Sequence, residues 1–245
     1  MNPEEIAAVR EDGAWLVRVT PDKQPLLRIE GDLERRGAGM FDKMNAIGAH
    51  ELVSDTPEHA RPWADFSPAH MAHLLGIYRA RIADLRRDRR FRHAAVLKNH
   101  SALWSRYVHA HSHVIATPFV SKRVEEELAG AREYYRMKER CAFCDQLAEE
   151  LQVDARVIVR NPDFVVFAPF ASERPYEMWI APLRHAADFG ALPDRALLPL
   201  AELMVGALGR LRATVGHELG MEWATGIFSN PVPPEEAARR LKAAG

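Results

Sequence analysis

HELVSDTPEHARPWADFSPAHMAHLLGIYRARIADL, His50–Leu85, is answered later in the chain by YEMWIAPLRHAADFGALPDRALLPLAELMVGALGRL, Tyr176–Leu211. Each copy runs from a strand-like alternation through a proline and a nearby histidine (His59, His185) to an Ala-Asp-Phe turn and a long helix. Apolar residues recur at helical spacing in both: Met71, Leu74, Leu75, Tyr78 and Ile82, then Leu197, Leu200, Leu203, Met204, Leu208 and Leu211. Two more strand-like runs precede each copy, WLVRV and PLLRI around Pro-Asp-Lys before the first, ARVIV and FVVFAPF around Asn-Pro-Asp before the second. The pattern predicts an α+β fold built from a duplicated unit.

After the first helix the chain adds two strands, AAVLKN (Ala94–Asn99) and HAHSHVIATP (His109–Pro118). Nothing equivalent follows the second helix, so the second unit reads as truncated. The charged segment Ser121–Arg140 reads as a half-exposed helical linker. The expected organisation is therefore 1–120, a linker over 121–140, and 141–245.

With 33 Lys+Arg against 34 Asp+Glu in 245 residues, the net charge of -1 argues against nucleic acid or a polybasic membrane surface as partner. No apolar run reaches the roughly 18 residues of a membrane span, and the first residues resemble no secretory signal, so a cytoplasmic location is expected. Two cysteines cannot make a disulfide scaffold; their C-x-x-C spacing suits metal or redox chemistry.

Three of the 11 histidines fall within five residues, His109, His111 and His113. On a strand they would share one face, with Ala110 and Ser112 on the other. Such a face suits metal binding or attack on phosphorus, because a neutral imidazole displaces a phosphoryl leaving group without a base. Asn99, ending the preceding strand, offers an amide to a phosphate oxygen, or simply forms a turn. Cys141 and Cys144, with His185 and His217 further on, offer the thiolates and imidazoles of a tetrahedral zinc site; a plain pair of buried thiols is the alternative.

Together these stretches resemble the galactose-1-phosphate uridylyltransferase family of the histidine-triad superfamily, and are also similar to ADP-glucose phosphorylase. The matching segments, in order, are WLVRVTPDKQPLLR, GAHELVSDTPEHARPWADFS, VLKN, HAHSHVIATPFV, CAFCDQL, RNPDFVVFAPFASERPYEMWIAPLRHAADF and EWATGIFSNPVPPEEAARRL. The resemblance implies two histidine-triad-like half-domains, each an antiparallel sheet with flanking helices, the second shortened here. It implies that His111 is a nucleophile forming a covalent nucleotidyl-histidine, that Asn99, His109 and His113 serve the phosphate, and that Cys141, Cys144 and His185 hold one structural zinc, with His217 as the fourth ligand. It further implies a nucleoside diphosphate sugar, UDP-hexose first, as substrate, a sugar 1-phosphate as acceptor, and a homodimer.

The chain departs from the family pattern in four places. His113 replaces the family's Gln, giving H-x-H-x-H as in the hydrolytic branch of the superfamily. The loop before the triad, from His100, lacks the usual small residues. The cysteine pair of a first zinc site, which would join His59 and His109, is absent. The strands after the second helix are missing. These departures keep open a nucleotide-sugar hydrolase or phosphorylase, or a non-catalytic relative retaining a structural zinc.

Overall fold

A computed structural model describes residues 5–99, 107–215 and 234–245. The first sheet has five antiparallel strands in the order β1-β2-β5-β7-β6. β1 (Ala7–Glu11) and β2 (Ala14–Pro21) form a hairpin. Its turn is Asp12-Gly13, both at positive φ, the Asp-Gly signal of a tight hairpin turn. β3 (Arg36–Ala38) and β4 (Phe41–Lys43) make a small separate hairpin. β5 (Ala49–Ser54) lies at the sheet's centre, flanked by β2 and by β7 (His111–Thr117), with β6 (His93–Leu97) outside β7.

Helix α1 (Pro68–Leu85) begins where the Ser67 hydroxyl accepts the His70 amide and Pro68 takes the first position. Its buried residues are the stripe read from spacing, Met71, Leu74, Leu75, Tyr78 and Ile82, joined by Ile77 and Leu85. The sheet turns its alternate residues Val53, Ser112, Val114 and Ala116, all at 0% exposure, toward the core. Val53 pairs with Ser112 in register. His50, His111 and His113 therefore belong to the opposite face.

Beyond α2 (Lys122–Lys138), which buries no residue, α3 (Ala142–Val153) leads to a second sheet, β10-β9-β8. Its strands are β8 (Val157–Arg160), β9 (Phe164–Phe167) and β10 (Trp179–Pro182). β9 is buried on both faces, hence its unbroken apolar run. Val165 and Phe167 meet Leu147 and Leu151 of α3. Phe164 and Val166 join the main core with α1, α4 (Leu197–Val215) and the C-terminal helix α5 (Pro234–Ala243). One continuous core thus draws on residues from both sides of the linker. Both copies of the repeat fold as strand, short 3-10 turn (Trp63–Asp65; Phe189–Ala191) and long helix.

Two expectations are corrected. PLLRI is not a strand: it is a loop whose backbone pairing, among the described residues, is an isolated bridge from Arg28 to Ile47. Pro25 withholds the amide that a strand would need there. The triad strand begins at His111, not His109, because residues 108–110 bend.

Gly48 enters β5 where a Cβ would lie 2.4 Å from the Ala116 carbonyl oxygen and 2.6 Å from Leu27 Cδ1. Gly48→Ala is expected to cost about 1–3 kcal/mol by forcing β5 away from β7. Gly37→Ala, with open space at its Cβ, serves as control in parallel urea titrations; equal midpoints for the two variants would refute the close approach.

Candidate active site

Asp55, fully buried at the end of β5, organises the site from beneath. Its Oδ1 accepts the Ser112 hydroxyl (2.6 Å). Its Oδ2 accepts the Trp63 indole N–H (2.8 Å) and the Lys98 ammonium (2.8 Å). The Tyr78 hydroxyl lies 2.5 Å from Ser112 Oγ. Burial, and then the Asp55 charge, push the Tyr78 phenol well above its ordinary pKa, so it stays a neutral hydrogen-bonding group. Lys98 also donates to the backbone carbonyl of His111 (2.7 Å). The Asp55 amide donates to the Ala110 carbonyl (3.0 Å), and the His70 ring bonds the Asp55 carbonyl (2.7 Å). His70 is thus a structural contact rather than a solvated histidine. The chain around His111 is held from both sides.

His111 Nδ1 lies 2.6 Å from the His109 carbonyl oxygen. A carbonyl only accepts, so the proton sits on Nδ1 and the lone pair on Nε2. The His111 and His113 rings meet edge to face at 5.1 Å. The His109 ring itself turns away from this face. Its Nε2 bonds the Thr56 carbonyl (2.7 Å) and its Nδ1 lies 3.2 Å from His59 Nδ1. The bend before β7 therefore gives His109 a role through its backbone rather than through a shared strand face. Leu97 pairs with His113, and continuing that register puts the exposed Asn99 opposite His111. The sequence had singled out these residues and put Ser112 on the opposite face, but it gave no role to Asp55, Lys98 or Ser112. A lysine directly before Asn99 and a serine inside the triad were the only signals.

His113 has partners that spacing could not reveal. His113 Nδ1 lies 3.0 Å from His50 Nε2. Asp22 Oδ2 lies 3.4 Å from that His50 nitrogen and 3.5 Å from His113 Nδ1. Asp22 Oδ1 accepts the Gln24 amide (2.8 Å) and the Tyr107 hydroxyl (2.9 Å). Burial alone would raise the Asp22 carboxyl; these two donors and the neighbouring imidazoles outweigh it and hold the group below its usual range. The Leu26 amide donates to His50 Nδ1 (3.1 Å).

Away from this face, Cys141 opens α3 and Cys144 follows one turn later. His185 arrives from just beyond β10, with Cys144 Sγ 3.0 Å from His185 Nδ1. The three ligand atoms lie within 4.8 Å of one another. Helix-terminal amides, Cys144's first, lower the Cys141 thiol, whereas burial and then its neighbour raise that of Cys144. His217 lies outside the described residues.

No family model matches the chain. Curated relatives do. ADP-glucose phosphorylase of Arabidopsis thaliana is 24% identical over 98% of this chain and 78% of its own length. Galactose-1-phosphate uridylyltransferase of Thermotoga maritima is 23% identical over 83% and 76%. The solved structure of the Arabidopsis thaliana ADP-glucose phosphorylase with bound ADP-glucose superposes with a TM-score of 0.81 at 25% identity, covering 97% of this chain and 84% of that one. A uridylyltransferase mutant superposes at 0.83 with 21% identity, covering 94% and 89%. Over most of its length the chain is similar to galactose-1-phosphate uridylyltransferases and to ADP-glucose phosphorylase. Its α+β architecture of antiparallel sheets and helices is that of these relatives. None of its helices, among the described residues, is long and apolar enough to cross a membrane.

Removing one partner from a buried charge network leaves the others uncompensated. Asp55→Ala is expected to lower unfolding free energy by about 3–5 kcal/mol. Adding Lys98→Met should restore part of that loss by removing the stranded cation. Denaturant titration of the single and double variants checks both; a double variant less stable than the sum of its singles would refute the pairing.

Proposed function

We propose that this protein is a nucleotidyltransferase that splits a nucleoside diphosphate sugar through a covalent nucleotidyl-His111 and passes the nucleotide to a phosphate-type acceptor. The observation that carries this reading is the 2.6 Å contact of His111 Nδ1 with the His109 carbonyl. With the proton on Nδ1, Nε2 has the lone pair that such an attack requires, on the sheet face shared with His113. Attack by neutral Nε2 on the α-phosphorus releases a sugar 1-phosphate, and the ring's new positive charge is stabilised by the same carbonyl. His113 and Asn99 donate to the non-bridging oxygens as charge moves onto them.

UDP-hexose with a sugar 1-phosphate acceptor follows the uridylyltransferase relatives. ADP-sugar phosphorolysis is the second reading, favoured by the 98% of the chain that the ADP-glucose phosphorylase match spans.

The thiolate and imidazole donors of Cys141, Cys144 and His185 fit a zinc ion. Bound there, zinc would tie the start of α3 to the end of β10 and stabilise the smaller sheet, since a ligand of the folded form alone adds to stability. Metal analysis should find about one zinc per chain by the stoichiometry of one such site. Cys144→Ser should lower both zinc content and melting temperature. Metal-free protein of unchanged stability would exclude the staple.

Intact-mass spectrometry after incubation with UDP-glucose or ADP-glucose should show one added nucleotide, absent in His111→Ala. Turnover at the parental rate by His111→Ala would overturn the covalent route. No adduct and no sugar 1-phosphate release from the parent would leave the non-catalytic reading.

A further inference from the structure

His50, Asp22 and the Leu26 amide fall outside the roles assigned so far, yet together they fix where the protons of His113 reside. A backbone N–H can only donate. Because the Leu26 amide points at His50 Nδ1 from 3.1 Å, that nitrogen holds a lone pair, and a neutral His50 carries its proton on Nε2. That N–H faces His113 Nδ1 at 3.0 Å and Asp22 Oδ2 at 3.4 Å. Two N–H groups cannot confront each other at 3.0 Å. His113 Nδ1 is therefore an acceptor, and the His113 proton is on Nε2. A cationic His113 would need a second proton on Nδ1 and meets the same obstacle. Asp22, with its other oxygen anchored by Gln24 and Tyr107, attracts the His50 Nε2 proton and so supports the same arrangement.

The three ligand atoms, 3.0, 3.4 and 3.5 Å apart, also suggest a metal site. A metal would need lone pairs on both His50 Nε2 and His113 Nδ1. The Leu26 amide leaves the first of these protonated, so the proton relay is the arrangement consistent with the chemistry.

We infer that Leu26, His50 and Asp22 lock His113 as a neutral Nε2–H donor, and that this lock directs the nucleotide from His111 to phosphate-type acceptors in preference to water. The inference rests on the covalent reading above. An Nε2–H beside His111 stabilises a non-bridging phosphoryl oxygen, but it has no lone pair with which to take a proton from water. Water attacking the phosphorus must shed a proton to some base. A phosphate monoester or inorganic phosphate attacks with an oxygen already ionised near neutral pH. In that step the new P–O bond forms, the P–N bond breaks, its electron pair returns to His111 Nε2, and no proton is transferred. His113 thus supplies the kind of donor that a carboxamide would supply, and a third histidine in the motif is not here the mark of a hydrolase. His50 and Asp22 act as positioning residues through it.

Two measurements test this. In ¹⁵N-histidine-labelled protein near neutral pH, two-bond ¹H–¹⁵N correlations should show His50 and His113 both as neutral Nε2–H tautomers. An Nδ1–H or charged His113 overturns the lock, as does a shift of either ring's signals to a metal-bound position on adding Zn²⁺. Second, the nucleotidylated protein, freed of substrate, should decay in buffer far more slowly than with inorganic phosphate. His50→Phe, which lacks the N–H, should speed the loss to water by about tenfold or more, the lower range of what a general base contributes. His50→Gln, which can still donate to His113, should restore the slow rate. Equal loss to water in the parent and His50→Phe, or parental decay unaffected by phosphate, overturns the proposed preference. Absence of any adduct would instead count against the covalent reading, while the tautomers are read independently of it.

Discussion

A carboxylate with no access to water, Asp55, stands beneath the strand that carries His111, and pieces of four elements converge on it. Trp63 comes from the 3-10 turn, Ser112 from β7, Lys98 from the end of β6, and His70 and Tyr78 from α1. A buried anion is tolerable only when donors surround it. That requirement fixes the distance between β5, β6 and β7 at the end where the chemistry is placed. Lys98 passes the constraint on by holding the His111 carbonyl, and the Ala110 carbonyl is held by the Asp55 amide. The backbone at His111 is thus held in place by the fold itself, which is what the proposed attacking group needs if orientation is to lower the barrier.

The five-stranded sheet separates two tasks by its pleat. Val53, Val114 and Ala116 build the core against α1, and residues one place away in sequence present imidazoles to the other face. Two core-side residues are polar: Glu51, matched by a bidentate Arg81 from α1, and Ser112, bonded to Asp55 and Tyr78. The smaller sheet lacks a free face of this kind. It is covered by α3 on one side and by α4 and α5 on the other, so its contribution is to complete the shared core and to carry His185 to the two cysteines.

His113 shows how one residue type takes its chemistry from its neighbours. In isolation an imidazole near neutrality offers a donor, an acceptor or a charge. Here a single backbone amide, two residues into a loop that the sequence suggested would be a strand, selects among them through His50. A histidine at this position therefore does not by itself separate hydrolysis from transfer.

The repeat, the α1 stripe, β8 and β9 and the C-x-x-C spacing were legible in the sequence, because each depends on periodicity or on residues a few places apart, while the link of His185 to the two cysteines leaned on the family resemblance. Local patterning also located Asn99 and His113. What it could not supply were contacts across long separations: Asp55 with Lys98 and Ser112, or Asp22 with His50 and His113. A buried aspartate and a solvated one look alike in sequence, and so do a histidine that ligates, titrates or relays. His109 shows the limit in miniature: alternation predicted a shared face, but a three-residue bend sent its ring to Thr56 and His59. The sequence by itself determined the α+β class, the repeated strand, turn and helix pattern and the cluster of imidazoles around His111. The tertiary structure alone decided which protons those imidazoles carry, because a tautomer is set by what lies within about 3 Å of each ring nitrogen, and those atoms come from strands and loops far apart in the chain.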